Sequence, residues 1–199
     1  MARPKAIVFD FNGLFVQAPE KKIIKKLCAF KGTGEWIALS NYYLNLWEFQ
    51  LGKMNPFDFW KKVFVGLSEE EFFDVIVAEY DVYARKNEGL YSLAERLSKK
   101  FDLHVLSNSN FLQGKAYRKQ KLFSPFKSFH LSHEMHEMKP FPEAFRHFLK
   151  ETGLKAKECV FIDDSTVNVL AAMALGFKGI VFQGNDDLEK KLERLGIDV

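Results

Sequence analysis

Four short stretches of this chain are apolar without alternation: "AIVFD" (6–10), "LHVLS" (103–107), "CVFID" (159–163) and "GIVF" (179–182). A strand with one wet face alternates apolar and polar residues, whereas a strand covered on both faces does not. These runs therefore predict strands of a parallel sheet held between layers of helix. A weaker fifth run, "SFHLS" (128–132), fits the same reading. Between the later runs the apolar period lengthens to that of helices. Leu90, Leu93, Ala94 and Leu97 share one face of a segment that reaches Lys100. Pro142 and Gly153, Ser165 and Gly176, and Asn185 and Gly196 supply the starts and stops of three more helices. Strand alternating with helix in this way predicts an α/β fold.

The rhythm breaks between the first strand and the second. From about Val16 to Gly89 there is no strand pattern, and four helices are expected instead: Pro19–Lys31, Glu35–Leu51, Pro56–Val65 and Ser68–Lys86. Asn55-Pro56 is a cap followed by a first-turn proline, and Ser68 with Glu71 has the spacing of a capping box. The simplest organisation is a core of residues 1–15 and 89–199 interrupted by an all-helical insertion of residues 16–88 over one end of the sheet.

Composition narrows the class. Hydrophobic residues make up 47% of 199, enough for a substantial core, and Phe alone occurs 21 times. The net charge of +3 comes from bases scattered among nearly as many acids, which excludes a nucleic-acid footprint. Cys28 and Cys159 lie far apart and read as reduced thiols rather than a disulfide framework. The first apolar stretch is short and interrupted by Asp10, unlike a signal peptide, and no window has the length of a membrane span, so a cytoplasmic protein is expected.

Ligands of open parallel sheets bind beyond the carboxyl ends of the strands. Three runs end in polar groups there: Asp10, Ser107-Asn108 and Asp163-Asp164. Three acids and a hydroxyl would meet in one crevice. Grouped carboxylates need a cation between them, and hard oxygen donors suit Mg²⁺, which keeps some of its water and takes up a phosphate oxygen.

The same residues resemble the haloacid dehalogenase-like (HAD) superfamily, in its phosphatase-like branch with a helical cap inserted after the first strand. "VFDFNGLF", "VLSNSN", "MKPFPEAF" and "FIDDSTVNVLAAMALGF" match its four motifs in order, and the resemblance covers nearly the whole chain. It implies a Rossmann-like core. It also implies that Asp10 is a nucleophile forming an aspartyl-phosphate. By the same resemblance Asp10, the backbone carbonyl of Asn12, Asp163 and Asp164 would hold Mg²⁺, with Asn168 helping to orient the acids. Ser107 and the backbone N–H of Asn108 would bind a phosphoryl oxygen, and Lys139 would balance the charge of the nucleophile and of the phosphoryl group. A small phosphorylated metabolite, such as a sugar phosphate, is the expected substrate.

Asn12 departs from the pattern. Most phosphatases of the family carry there a second Asp that protonates the leaving group and then activates water. An amide can donate a hydrogen bond but cannot transfer a proton, and loss of general acid–base help typically forfeits ~10²–10⁴-fold in rate. A slow phosphatase is one outcome. Others are a protein that binds a phosphorylated ligand or a protein partner without turnover, and a 2-haloacid dehalogenase, which needs no metal and so leaves the Asp163-Asp164 pair unused. Asn12-Gly13 is also a sequence prone to deamidation, which would create an aspartate.

Three further features carry expectations. Phe15, Trp36, Tyr42, Tyr43, Trp47 and Trp60 are candidates for the underside of the insertion, although aromatics at helical spacing are commonly core. His133 and His136 in "SHEMHEMK" could bind a transition metal if helical, but a polar loop leading to Lys139 is the simpler reading. "KKIIKK" (21–26) predicts an amphipathic helix with a solvated lysine face.

Overall fold

A computed structural model describes residues 4–82 and 85–199. Its centre is a five-stranded parallel sheet of β1 (Ala6–Phe9), β2 (Asp102–Ser107), β3 (Ser128–Leu131), β4 (Cys159–Asp163) and β5 (Lys178–Val181), in the order β3-β2-β1-β4-β5. All five apolar runs are strands to within about a residue. Ser132 differs, leaving β3 to begin a short helix. β1 lies in the middle, and Ala6, Ile7, Val8 and Phe9 are all fully buried, as an unbroken apolar run requires.

The chain between β1 and β2 is helical. It contains α1 (Glu20–Lys31), α2 (Glu35–Gln50), α3 (Pro56–Val63), α4 (Glu69–Glu71), a π-helical stretch (Phe72–Val77) and α5 (Ala78–Val82). The expected single helix Ser68–Lys86 is therefore corrected. It starts at the Ser68–Glu71 capping box as read, then widens by one residue, the Ala78 N–H reaching back to the Phe73 carbonyl. Helical structure runs to Val82, residues 83 and 84 lie outside the described residues, and Lys86 pairs with Val16 in an antiparallel bridge. In α1 the lysines at 21, 22, 25 and 26 face solvent while Ile23 and Ile24 are buried, the amphipathic pattern expected of "KKIIKK".

The remaining helices are α6 (Glu88–Ser98), α7 (Phe111–Lys119), α8 (Ser132–Met135), α9 (Pro142–Thr152), α10 (Thr166–Ala174) and α11 (Asn185–Arg194). Alternate residues of β1 serve opposite faces. Ala6 and Val8 pack with Phe145 and Phe148 of α9 and Val169 and Ala172 of α10. Ile7 and Phe9 join α6, α7 and α11, and that apolar cluster continues without a break into the inserted helices through Ile23, Leu27, Phe49, Phe59, Trp60 and Ile76.

Burial sorts the aromatic candidates. Phe15, Tyr42 and Trp60 are buried in the core, while Trp36, Tyr43 and Trp47 are exposed. Trp47 stands edge-on to Phe141, two residues past Lys139, with ring centroids 5.0 Å apart. Both cysteines are buried free thiols. Among the described residues no helix is long and apolar enough to cross a membrane.

Candidate active site

Register fixes which side chains meet. Phe9 is level with Val105 on one side and Ile162 on the other, so the residues that follow each strand emerge at one edge. Asp10 continues that pairing, its N–H donating to the Ile162 carbonyl at 2.8 Å. Its Oδ1 accepts from Ser107 Oγ at 2.8 Å and from Lys139 Nζ at 2.7 Å. The same ammonium lies 2.6 Å from Asp163 Oδ2. Asp10, Ser107, Lys139 and Asp163 are at most 6% exposed.

A buried lysine persists only when its charge is paired and hydrogen-bonded. Burial alone pulls the Lys139 pKa down, but Asp10 and Asp163 outweigh it and hold the ammonium above its ordinary value. Burial pushes Asp10 up to about 6, Lys139 pulls against that rise, and Asp163 adds to it. The backbone of Lys139 is clamped by Asn108, whose Nδ2 donates to the Lys139 carbonyl at 2.8 Å and whose Oδ1 accepts from the Lys139 N–H at 2.9 Å. This side-chain clamp was not legible in the sequence, where only the backbone of Asn108 had a reason to matter.

Asp163 is held from its other side. Its Oδ1 accepts from the Ser165 N–H at 2.8 Å and from Asn168 Nδ2 at 3.1 Å. Asp164 is exposed and reaches over the loop after β1. Gly13 has φ +86°, which calls for glycine, and a Cβ there would stand 2.7 Å from Asp164 Oδ2 and displace that carboxylate. Carboxylate oxygens of Asp10, Asp163 and Asp164 lie within 4.8 Å of one another. Burial, then the charge of Asp163, raises Asp164. Three hard, mutually repelling oxygen donors are a set that Mg²⁺ fits.

The hydrogen bonds of the Asn12 side chain go to its neighbours beside the site rather than to Asp10. Its Nδ2 donates to the Asn108 carbonyl at 2.9 Å and, at 3.4 Å, to Gln113 Oε1; its Oδ1 accepts from Tyr117 Oη at 2.6 Å. Behind Gln113 lies Glu20, a buried acid whose Oε1 accepts from Gln113 Nε2 at 2.7 Å, Tyr80 Oη at 2.8 Å and Asn110 Nδ2 at 3.3 Å. Sequence reasoning missed Glu20, Gln113 and Tyr117, because a first-turn acid and two residues inside a helix carry no local signal. The Gly13 N–H is already bonded to the Val16 carbonyl at 2.8 Å, which ties down the nitrogen that deamidation of Asn12 would need as its nucleophile.

The two histidines do not converge on a metal. His133 Nδ1 pairs with Ser109 Oγ at 3.0 Å, while His136 turns into the left-handed region at φ +58° and donates from Nδ1 to the Leu51 carbonyl at 2.8 Å. The four-residue helix α8 ends too early to stack them on one face.

A family model described as haloacid dehalogenase-like hydrolase matches residues 4–176. D-ribitol-5-phosphate phosphatase of Bacteroides thetaiotaomicron is 26% identical over 204 residues, covering 94% of this chain and 96% of that protein. Flavin mononucleotide hydrolase 1, a chloroplast protein of Arabidopsis thaliana, is 30% identical over 113 residues; the match takes in 56% of this chain and spans only 46% of the relative's length. Among solved structures, a HAD family enzyme of Bacteroides thetaiotaomicron in complex with magnesium and inorganic phosphate superposes with a TM-score of 0.74 at 24% identity, over 90% of this chain and 94% of that one.

Proposed function

This chain belongs to the haloacid dehalogenase-like hydrolases, and from that premise we propose that it is a magnesium-dependent phosphatase of small phosphorylated metabolites, sugar and polyol phosphates among them. The observation that carries the reading is one buried ammonium between two carboxylates: Lys139 Nζ sits 2.7 Å from Asp10 and 2.6 Å from Asp163, with Asp164 completing the acidic group. Attack by a carboxylate on a dianionic phosphate monoester is opposed by charge, and fixed cations remove that opposition. The full-length match to a D-ribitol-5-phosphate phosphatase supports the substrate class.

In this reading Asp10 is the nucleophile. Ser107 and Lys139 hold its Oδ1, which fixes the carboxylate for attack on phosphorus; the P–O bond to the leaving group breaks as the Asp10–phosphorus bond forms, and the departing oxygen takes its proton from water. A second water then attacks phosphorus and breaks the Asp10–phosphoryl bond, which releases inorganic phosphate and restores the carboxylate. Ser107 and Lys139 also serve the phosphoryl oxygens, and Asn108 keeps Lys139 in place. Asp10, Asp163, Asp164 and the Asn12 carbonyl would hold Mg²⁺, which when bound neutralises charge on the phosphoryl group. Residues 16–88 act as a helical cap on a core of 1–15 and 89–199.

Asn12 favours one competing reading, a protein that binds a phosphorylated ligand without turning it over. Phosphate release from a panel of sugar, polyol and nucleotide monophosphates, with and without Mg²⁺, decides between them. A phosphatase shows Mg²⁺-dependent release that Asp10→Asn abolishes. Release that survives Asp10→Asn, or none from any ester, contradicts the proposal.

A further inference from the structure

We infer that Tyr117 is a positioning residue for this reaction: it turns the Asn12 amide so that an N–H, and not a carbonyl, is presented to the leaving-group oxygen. The inference rests on the phosphatase reading above and goes beyond it. The orientation of an Asn amide follows from what surrounds it. The Asn108 carbonyl, 2.9 Å from the Asn12 amide, can only accept, so Nδ2 must face it. Oδ1 then faces Tyr117, whose hydroxyl donates to it at 2.6 Å. A flipped amide would set two carbonyl oxygens against each other.

The two hydrogens of Nδ2 are not used alike. Both are bonded within the protein: one donates to the Asn108 carbonyl at 2.9 Å, the other to Gln113 Oε1 at 3.4 Å, the longer bond and the one a leaving-group oxygen would displace. Gln113 is itself oriented. Glu20 accepts from its Nε2 at 2.7 Å, so its Oε1 is the atom turned toward Asn12, and that oxygen also takes the Asn110 N–H at 3.1 Å. Tyr117 and Gln113 are both buried, and the Tyr117 ring is held against Phe11 with centroids 5.1 Å apart. Asn12 cannot protonate an alkoxide, but an N–H aimed at the leaving oxygen stabilises the charge it acquires as the P–O bond breaks. That help matters for poor leaving groups and little for good ones.

The test compares two esters, p-nitrophenyl phosphate and a simple alkyl phosphate, in native protein, Tyr117→Phe, Asn12→Ala and the double variant. Tyr117→Phe keeps the ring and removes only the hydroxyl. The expected result is a kcat loss on the order of tenfold greater for the alkyl ester than for the p-nitrophenyl ester. Asn12→Ala shows the same bias, and the double variant loses no more than Asn12→Ala alone. Equal losses on both esters, or additive losses in the double variant, would overturn the inference while leaving the Asp10 chemistry standing. A native chain without Asp10-dependent turnover of either ester would overturn both.

Discussion

Glu20 is a buried carboxylate whose Oε1 is shared by three uncharged donors, Tyr80, Gln113 and Asn110. Burial raises its pKa above an ordinary value near 4.5, more than those three donors lower it. Between the unfolded and folded values the native state holds the extra proton, so this group's contribution to stability falls as pH rises through that window. Glu20→Gln keeps an acceptor and removes the charge. Urea unfolding from about pH 4 to about pH 8 should show the variant gaining on the native protein as pH rises, with the gap closing at the acid end; a gap independent of pH would mean that Glu20 is not titrating in the fold. Asn12→Asp sets a carboxyl against the Asn108 carbonyl and Gln113 Oε1, two acceptors, which favours the protonated acid the family uses. Turnover of alkyl phosphates should rise on the order of 10²-fold in steady-state assays. Asp10, Ser107, Lys139 and Asp163 could be anticipated because each stands at the end of an apolar run or in a motif of fixed order. Glu20, Gln113 and Tyr117 could not, since they meet across 93 to 105 residues of chain and only the packed fold joins them.

At the scale of elements, the inserted helices are fastened to the sheet edge at both of their ends. Val16 bridges Lys86, and the Asn87 N–H donates to the Phe15 carbonyl at 2.9 Å where the chain leaves and re-enters the core. At the far side Ser132 Oγ donates to the Gln50 carbonyl at 2.7 Å, and His136 to Leu51. Gly52 makes this second joint possible: at φ +68° it brings the turn after α2 so close to α8 that a Cβ would lie 2.3 Å from the His133 carbonyl oxygen. Gly153 has nearly the same φ, +69°, with nothing within 4 Å of a Cβ. Gly153→Ala should cost only the backbone term, about 1 kcal/mol, and Gly52→Ala that plus a clash with backbone, on the order of 3 kcal/mol, by thermal or urea unfolding; equal costs would contradict the close approach. The strands and the core-side helices were legible because period and punctuation are local. The helix expected over Ser68–Lys86 was not, because the π-helical widening at Phe72–Val77 and the Val16–Lys86 bridge answer to tertiary packing rather than to local pattern.

For the whole molecule, one apolar cluster unites the sheet with the inserted helices, and the acidic site lies at the ends of β1 and β4. Binding Mg²⁺ together with inorganic phosphate should therefore stabilise the entire chain, by about 2.7 kcal/mol at a hundredfold excess over Kd. Asp163→Asn should abolish the thermal shift, and a shift of equal size in that variant would place the ions elsewhere. In the proposed reaction the intermediate is covalent: Asp10 carries the phosphoryl group. The most direct measurement is intact-mass and peptide analysis of acid-quenched protein during turnover of p-nitrophenyl phosphate with Mg²⁺. One phosphoryl adduct is expected, on the peptide containing Asp10, and it should vanish in Asp10→Asn and when Mg²⁺ is withheld. Rapid phosphate release with no adduct at any quench time, or an adduct on another residue, would contradict it.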